Sequence, residues 1–218
     1  MPKLFKCLWL LLVVSLTACV NHSSRSPDGP FSESPWRTDA AFFTNQVSYY
    51  DGLNNWRYSA KVGVTTPKGR DQASMDWTFA DQANSIRLYG PLGLGAVRIE
   101  FDDYGVVVSD NKGVRHRGDS VQTLLDRIVG WPIPVDALSK WLFLLPEEGA
   151  TFRYRLDEQA RLQVLEQKGW HIEYADYKQF EGRDMPRKIT ATRIDSSAGA
   201  ADETSMVKVR LISKRWQW

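Results

Sequence analysis

Cys19 is the residue whose setting predicts a covalent reaction. It follows Leu16-Thr17-Ala18, and residues 1–18 are laid out as a signal peptide: Lys3 and Lys6 form a basic start, Leu8 to Leu16 an apolar centre, and Leu16-Thr17-Ala18 a small-residue end. The apolar run is shorter than the roughly 20 residues a bilayer span takes. Leu16-Thr17-Ala18-Cys19 looks like a bacterial lipobox, whose cysteine is diacylated, becomes the new N-terminus and is then N-acylated. The other cysteine, Cys7, lies in the removed segment, so Cys19 has no disulfide partner. At roughly 0.8 kcal/mol per buried CH₂, several acyl chains together anchor a protein effectively for good. Val20 and Asn21 lack the Asp that resembles an inner-membrane retention signal, so the expected location is the inner leaflet of the outer membrane, facing the periplasm.

Other reactive combinations fail on inspection. His22, His116 and His171 lie apart from any Cys, and no HExxH or paired-cysteine spacing occurs, so no metal site is expected. Gly113-Val114-Arg115-His116-Arg117-Gly118 has the glycine spacing of a phosphate loop, but Asp119 stands where lysine is required. Gly93-Leu94-Gly95 starts like a dinucleotide fingerprint, yet Arg98 replaces the third glycine and a strand follows instead of a helix. Asp102-Asp103 and Glu147-Glu148 read as solvated turn carboxylates rather than acid/base pairs, and there is no Gly-x-Ser-x-Gly elbow. The expectation is a protein that is not an enzyme and needs no cofactor.

Charge points the same way. The chain has 28 basic and 26 acidic residues; removing Lys3 and Lys6 with the signal leaves 28 − 2 = 26 against 26. A formally neutral mature chain lacks the basic excess that nucleic-acid binding needs.

A second kind of chemistry is apolar contact. Gly90-Pro91-Leu92-Gly93 has turn residues in turn positions, with Leu92 at the tip. Leu92 either folds back over its own sheet or forms an apolar finger aimed at a partner or membrane. The flanking elements are strands. Trp56, Tyr58, Ala60, Val62 and Val64 alternate with polar residues or glycine, as do Ala73, Met75, Trp77 and Phe79, and later Val97, Ile99 and Phe101.

Before these strands, Asn21 to Pro35 reads as a Ser/Pro-rich tether, and Trp36 to Tyr50 carries helical spacing. Further on, Ser120 and Gly130 bracket a helix through Val121, Leu124, Leu125 and Ile128. Pro134 opens another through Leu138, Trp141 and Leu142, with Pro146 as its stop. Strand patterns resume at Phe152, and Asp195 to Thr204 has the composition of a mobile hairpin loop. The expected organisation is a signal peptide (1–18), a lipidated tether (19–35) and one domain (36–218). That domain is mainly β, a strongly curved antiparallel sheet forming an unclosed barrel of about 10–11 strands with about three helices in its interior. One sheet face would carry Trp56, Trp77, Phe79, Leu88, Val97, Ile99, Phe101 and Phe152. This is either an ordinary packed core or the wall of a cavity for acyl chains.

The lipobox, the Arg87 to Val97 stretch with Gly90-Pro91-Leu92-Gly93, and Gly130-Trp131-Pro132-Ile133-Pro134 with Leu138 and Trp141 together resemble the LolB family of outer-membrane lipoprotein receptors. The resemblance runs from about Trp56 to Trp216. It implies an unclosed β-barrel enclosing helices and an apolar cavity. It also implies a monomer that takes cargo lipoproteins from a periplasmic carrier of similar, LolA-like fold and places them in the outer membrane. The family's membrane-directed loop leucine matches Leu92. Here Gly90 stands where the enteric pattern has Asn, and Phe143-Leu144 replaces a Gly-containing stretch. The expected function is acyl-chain transfer without nucleotide hydrolysis; the alternatives are a lipid-anchored assembly factor with a filled barrel, or an envelope hydrolase.

Overall fold

In a computed structural model, described for residues 34–90, 95–194 and 206–218, eleven strands form a single antiparallel sheet. Six run as a meander: β1 (Trp56–Thr66), β2 (Gly69–Ala80), β3 (Ala83–Tyr89), β4 (Val97–Asp102), β5 (Gly105–Ser109) and β6 (Arg115–Gly118). Five more follow the helical interlude: β7 (Phe152–Leu156), β8 (Leu162–Gln167), β9 (Trp170–Phe180), β10 (Arg183–Ile194) and β11 (Met206–Gln217). The order β6-β5-β4-β3-β2-β1-β11-β10-β9-β8-β7 joins the halves through β1 and β11 and leaves β6 and β7 as edges. The expected mainly-β, unclosed architecture is therefore present. Residues 34–218 form one compact unit with its own core, the kind of unit that can fold alone.

Period-two patterning sets the faces. Trp56, Tyr58, Ala60, Val62 and Val64 are all buried, while Arg57 and Lys61 are exposed. A bulge at Ser59/Ala60 shifts the β1–β11 register. It keeps inward residues opposed on both sides, with Tyr58 opposite Trp216 and Val62 opposite Leu211.

Helices α2 (Val121–Val129) and α3 (Val135–Leu142) occupy the connection between the two free edges. Ser120 caps α2 by accepting the Thr123 N–H at 3.3 Å, and Gly130 ends it at φ +78°. Gly118, at the end of β6, lets α2 approach: a Cβ there would lie 3.3 Å from the Leu124 side chain. Helix α3 ends at Leu142, before Pro146. Its last turn closes with Leu144 N–H on the Trp141 carbonyl at 3.1 Å and Leu145 N–H on the Lys140 carbonyl at 3.0 Å, a Schellman pair with Leu144 in the left-handed position at φ +62°.

The helix expected from Trp36 to Tyr50 is shorter. It comprises a 3-10 turn, Ala41–Phe43, and α1 (Thr44–Asp51). Upstream, Arg37 pairs with Tyr154 of β7 through two backbone bonds of 2.9 and 2.8 Å, covering part of that open edge. The Trp36 ring has the Arg153 and Arg155 guanidinium carbons 4.2 and 4.1 Å from its centre. Long-range pairing with β7 overrides the local helical spacing.

Candidate functional site

The concave face of the sheet is apolar across its width, and the helical connection lies on it. From the sheet come Trp56, Trp77, Leu88 and Ile99, each no more than 6% exposed. From the helices and their ends come Leu124, Leu138, Trp141, Leu142 and Phe143, all buried in the same core. One part of this junction is aromatic. Trp56 has Trp77, Phe79, Phe143 and Trp216 with ring centroids 5.2–6.1 Å away, and Phe143 also meets Tyr50 at 4.8 Å and Trp216 at 5.1 Å. Phe143 is thus seated on β1 and β11.

The eight residues expected on one apolar face divide into two sets. Trp56, Trp77, Leu88 and Ile99 lie in the core, whereas Phe79, Val97, Phe101 and Phe152 are half-buried and packed against it. Phe101 lines a cleft of about 600 Å³ at the β2–β3 and β4–β5 turns. Phe152 lines a cleft of about 390 Å³ between α1 and the Leu145–Ala150 loop, together with Phe43, Val47, Tyr50 and Leu145. Lys140 stands at its mouth, its amine 4.4 Å over the Tyr50 ring and 3.1 Å from Glu148 Oε1.

Polar atoms in this interior are few and unevenly satisfied. The Tyr58 hydroxyl pairs with Ser213 Oγ at 3.0 Å, and that oxygen also reaches the Pro186 carbonyl at 3.2 Å. Burial pushes the Tyr58 hydroxyl pKa far up, outweighing the Ser213 bond, so it stays neutral. Trp141 Nε1, Trp216 Nε1 and the Tyr174 hydroxyl are among the buried side-chain atoms with no hydrogen-bond partner in the described residues, as are Gln167 Nε2, Trp218 Nε1 and the Tyr49 hydroxyl. Periodicity marks the first three rings as core but gives no sign that their polar atoms go unmatched.

Of the other expected site residues, Gly90 is half-buried after β3; Gly95, outside that set, stands at φ +71° before β4. Pro91, Leu92, Gly93 and Cys19 lie outside the described residues. At this end of the barrel, Trp131 Nε1 donates to Asp71 Oδ2 at 3.1 Å, tying the α2–α3 connection to β2. No group of three or more His, Cys, Asp or Glu side chains among the described residues is arranged to hold a metal, and no helix there is long and apolar enough to cross a membrane.

An open eleven-stranded sheet wrapped on an apolar helical insert defines the class of protein. A solved outer membrane lipoprotein-sorting protein domain from Vibrio parahaemolyticus shares this fold, with a TM-score of 0.51 at 11% identity over 81% of this chain and 90% of that one. The particular family follows from sequence: the model for outer membrane lipoprotein LolB matches residues 54–216, and the chain belongs to that family. Relatives carrying the same name include one from Pseudomonas putida, 30% identical over 97% of this chain and 95% of its own length. Another, from Pseudomonas syringae pv. syringae, is 31% identical over 94% and 92%.

Proposed function

We propose that the protein is a lipid-anchored receptor that accepts the acyl chains of lipoproteins from a soluble periplasmic carrier and passes them to the outer membrane without nucleotide hydrolysis. The observation that carries this reading is the concave apolar face and its cover. The insert contributes Leu138, Trp141, Leu142 and Phe143 to contacts that a hydrocarbon chain can replace. Burying apolar surface is worth roughly 25 cal/mol per Å² whether a helix or an acyl chain supplies it, so the exchange is close to balanced. Cargo then moves according to relative affinities for carrier, receptor and bilayer.

The unmatched polar atoms support the same occupant. Trp141 Nε1, Trp216 Nε1 and the Tyr174 hydroxyl are donors in an apolar setting. The ester and amide carbonyls of a triacylated cysteine are acceptors of the right kind. Trp56, Trp77, Phe79, Leu88, Val97, Ile99, Phe101 and Phe152 would form the wall.

Anchoring falls to Cys19 in this reading, with residues 19–35 as tether and 36–218 as the working domain. From Cys19 to Trp36 an extended chain spans at most about 60 Å, enough to keep the domain near the leaflet. Leu92, presented by Gly90, Pro91 and Gly93, enters the bilayer as cargo leaves. Substituting Leu92→Glu should leave folding and cargo receipt from the carrier unchanged while impairing release into liposomes; undiminished release would remove that role.

A further inference from the structure

On the convex side, four cations surround a position with no side chain. Lys61, Gly63 and Thr65 face outward on β1. Arg70 lies opposite Thr65 on β2; on β11, Lys208 lies opposite Thr65 and Arg210 opposite Gly63. These residues line one concavity of about 420 Å³. Lys61, Arg70 and Arg210 are exposed and Lys208 is half-buried. Lys61 Nζ donates to Ser74 Oγ at 2.6 Å. Among the described residues none of the four forms an ion pair, and the one carboxylate on the lining, Asp71, accepts from Trp131. Four positive charges at one notch are unexpected on a mature chain that counts 26 basic against 26 acidic residues.

Position identifies the partner. Tyr89, the last residue of β3, pairs with Ser74, so the loop that holds Leu92 leaves the sheet at the same end as the start of β2 and the β1–β2 turn. Lys61 is level with Ser74 and Tyr89, and Arg210, Arg70 and Lys208 lie further toward the β1–β2 turn, so the cationic notch occupies the end of the sheet at which β3 stops. A cationic face at the end of the sheet from which the Leu92 segment departs matches the chemistry of a phospholipid leaflet, hydrocarbon beneath phosphate.

We propose that Lys61, Arg70, Lys208 and Arg210 form a docking site for the phosphodiester headgroups of an anionic phospholipid leaflet, with Gly63 leaving room for the phosphate. The site sets the depth and tilt at which the Leu92 loop meets the bilayer; it deepens the delivery reading above and rests on it for the orientation of the domain.

Vesicle binding by the 34–218 unit tests it, using phosphatidylcholine alone and an equimolar mixture with phosphatidylglycerol. The unit should prefer the anionic vesicles, and added salt should erase that preference. K208Q/R210Q should bind them about 25-fold more weakly, at about fivefold per cation removed. Binding to phosphatidylcholine and the urea midpoint should not change. A wild-type unit with no anionic preference, or a double variant that retains it, overturns the headgroup site and leaves the patch to an acidic protein. Leu92→Gln, which removes the apolar side chain without adding charge, forms the separate arm. It should weaken binding to both compositions by the same factor with the anionic preference intact; no effect on either would remove the Leu92 role without touching the cation result.

Discussion

The Phe143 ring meets the Trp56 indole edge-on, with centroids 5.2 Å apart and planes at 69°. A residue from the end of α3 thus sits on the strand that joins the two halves of the sheet, and its removal has two opposed effects. Phe143→Ala should lower stability by about 3–5 kcal/mol, as deletion of a buried aromatic does. The same change should raise apparent affinity for a fluorescent fatty-acyl probe, because the state with the helical cover displaced becomes more populated. Urea unfolding and probe titration on one preparation read both; a loss of stability with weaker probe binding would make Phe143 part of the wall instead of the cover.

Leu144 is buried at 7% exposure and held at φ +62°. A Cβ in this conformation costs about 1–2 kcal/mol, which burial of the side chain offsets. Leu144→Ala keeps the strain and loses the burial, whereas Leu144→Gly loses both. The glycine variant should be about 1 kcal/mol more stable than the alanine variant, the reverse of the usual order in a helix. Denaturant midpoints for the two variants decide it.

The segment bridged to β7 should respond to acid. Burial pushes the Asp39 carboxyl up, but hydrogen bonds from the Ala41 N–H, the Tyr154 hydroxyl and Arg37 outweigh it and hold its pKa below the usual value. A depressed carboxylate stabilises the fold above its unfolded pKa, and the contribution disappears as pH falls through the folded value. For Asp39 that loss lies below about pH 4. Asp39→Asn should flatten the acid limb of a stability–pH curve over that range while leaving its shape at neutral pH unchanged. Glu166, held down by His171 at 2.9 Å and Arg153 at 2.5 Å against the upward push of burial, gives a second contribution of the same sign that the variant retains.

Much of this architecture is written in local patterns, and what is not depends on distant contacts. Strand β1 was legible because every second residue from Trp56 to Val64 is apolar or small, and α2 because Ser120 and Gly130 have cap chemistry. The start of α1 misled: apolar spacing from Trp36 is helical, but Arg37 satisfies its backbone on Tyr154, more than a hundred residues away. The left-handed Leu144 was invisible for a similar reason, since only burial makes that conformation tolerable for leucine. The apolar face was readable as a set of residues. Its division into a buried centre and half-buried margins depends on where α3 ends, which Pro146 placed too late.

In the proposed function the interior exchanges its helical cover for acyl chains. Titrating the 34–218 unit with a fluorescent fatty-acyl probe, then with a diacylated lipopeptide and its unacylated counterpart as competitors, tests it most directly. The expected result is saturable probe binding that the diacylated peptide displaces and the unacylated one does not. Absence of saturable binding, with the unit folded by circular dichroism, would contradict it and leave a filled barrel.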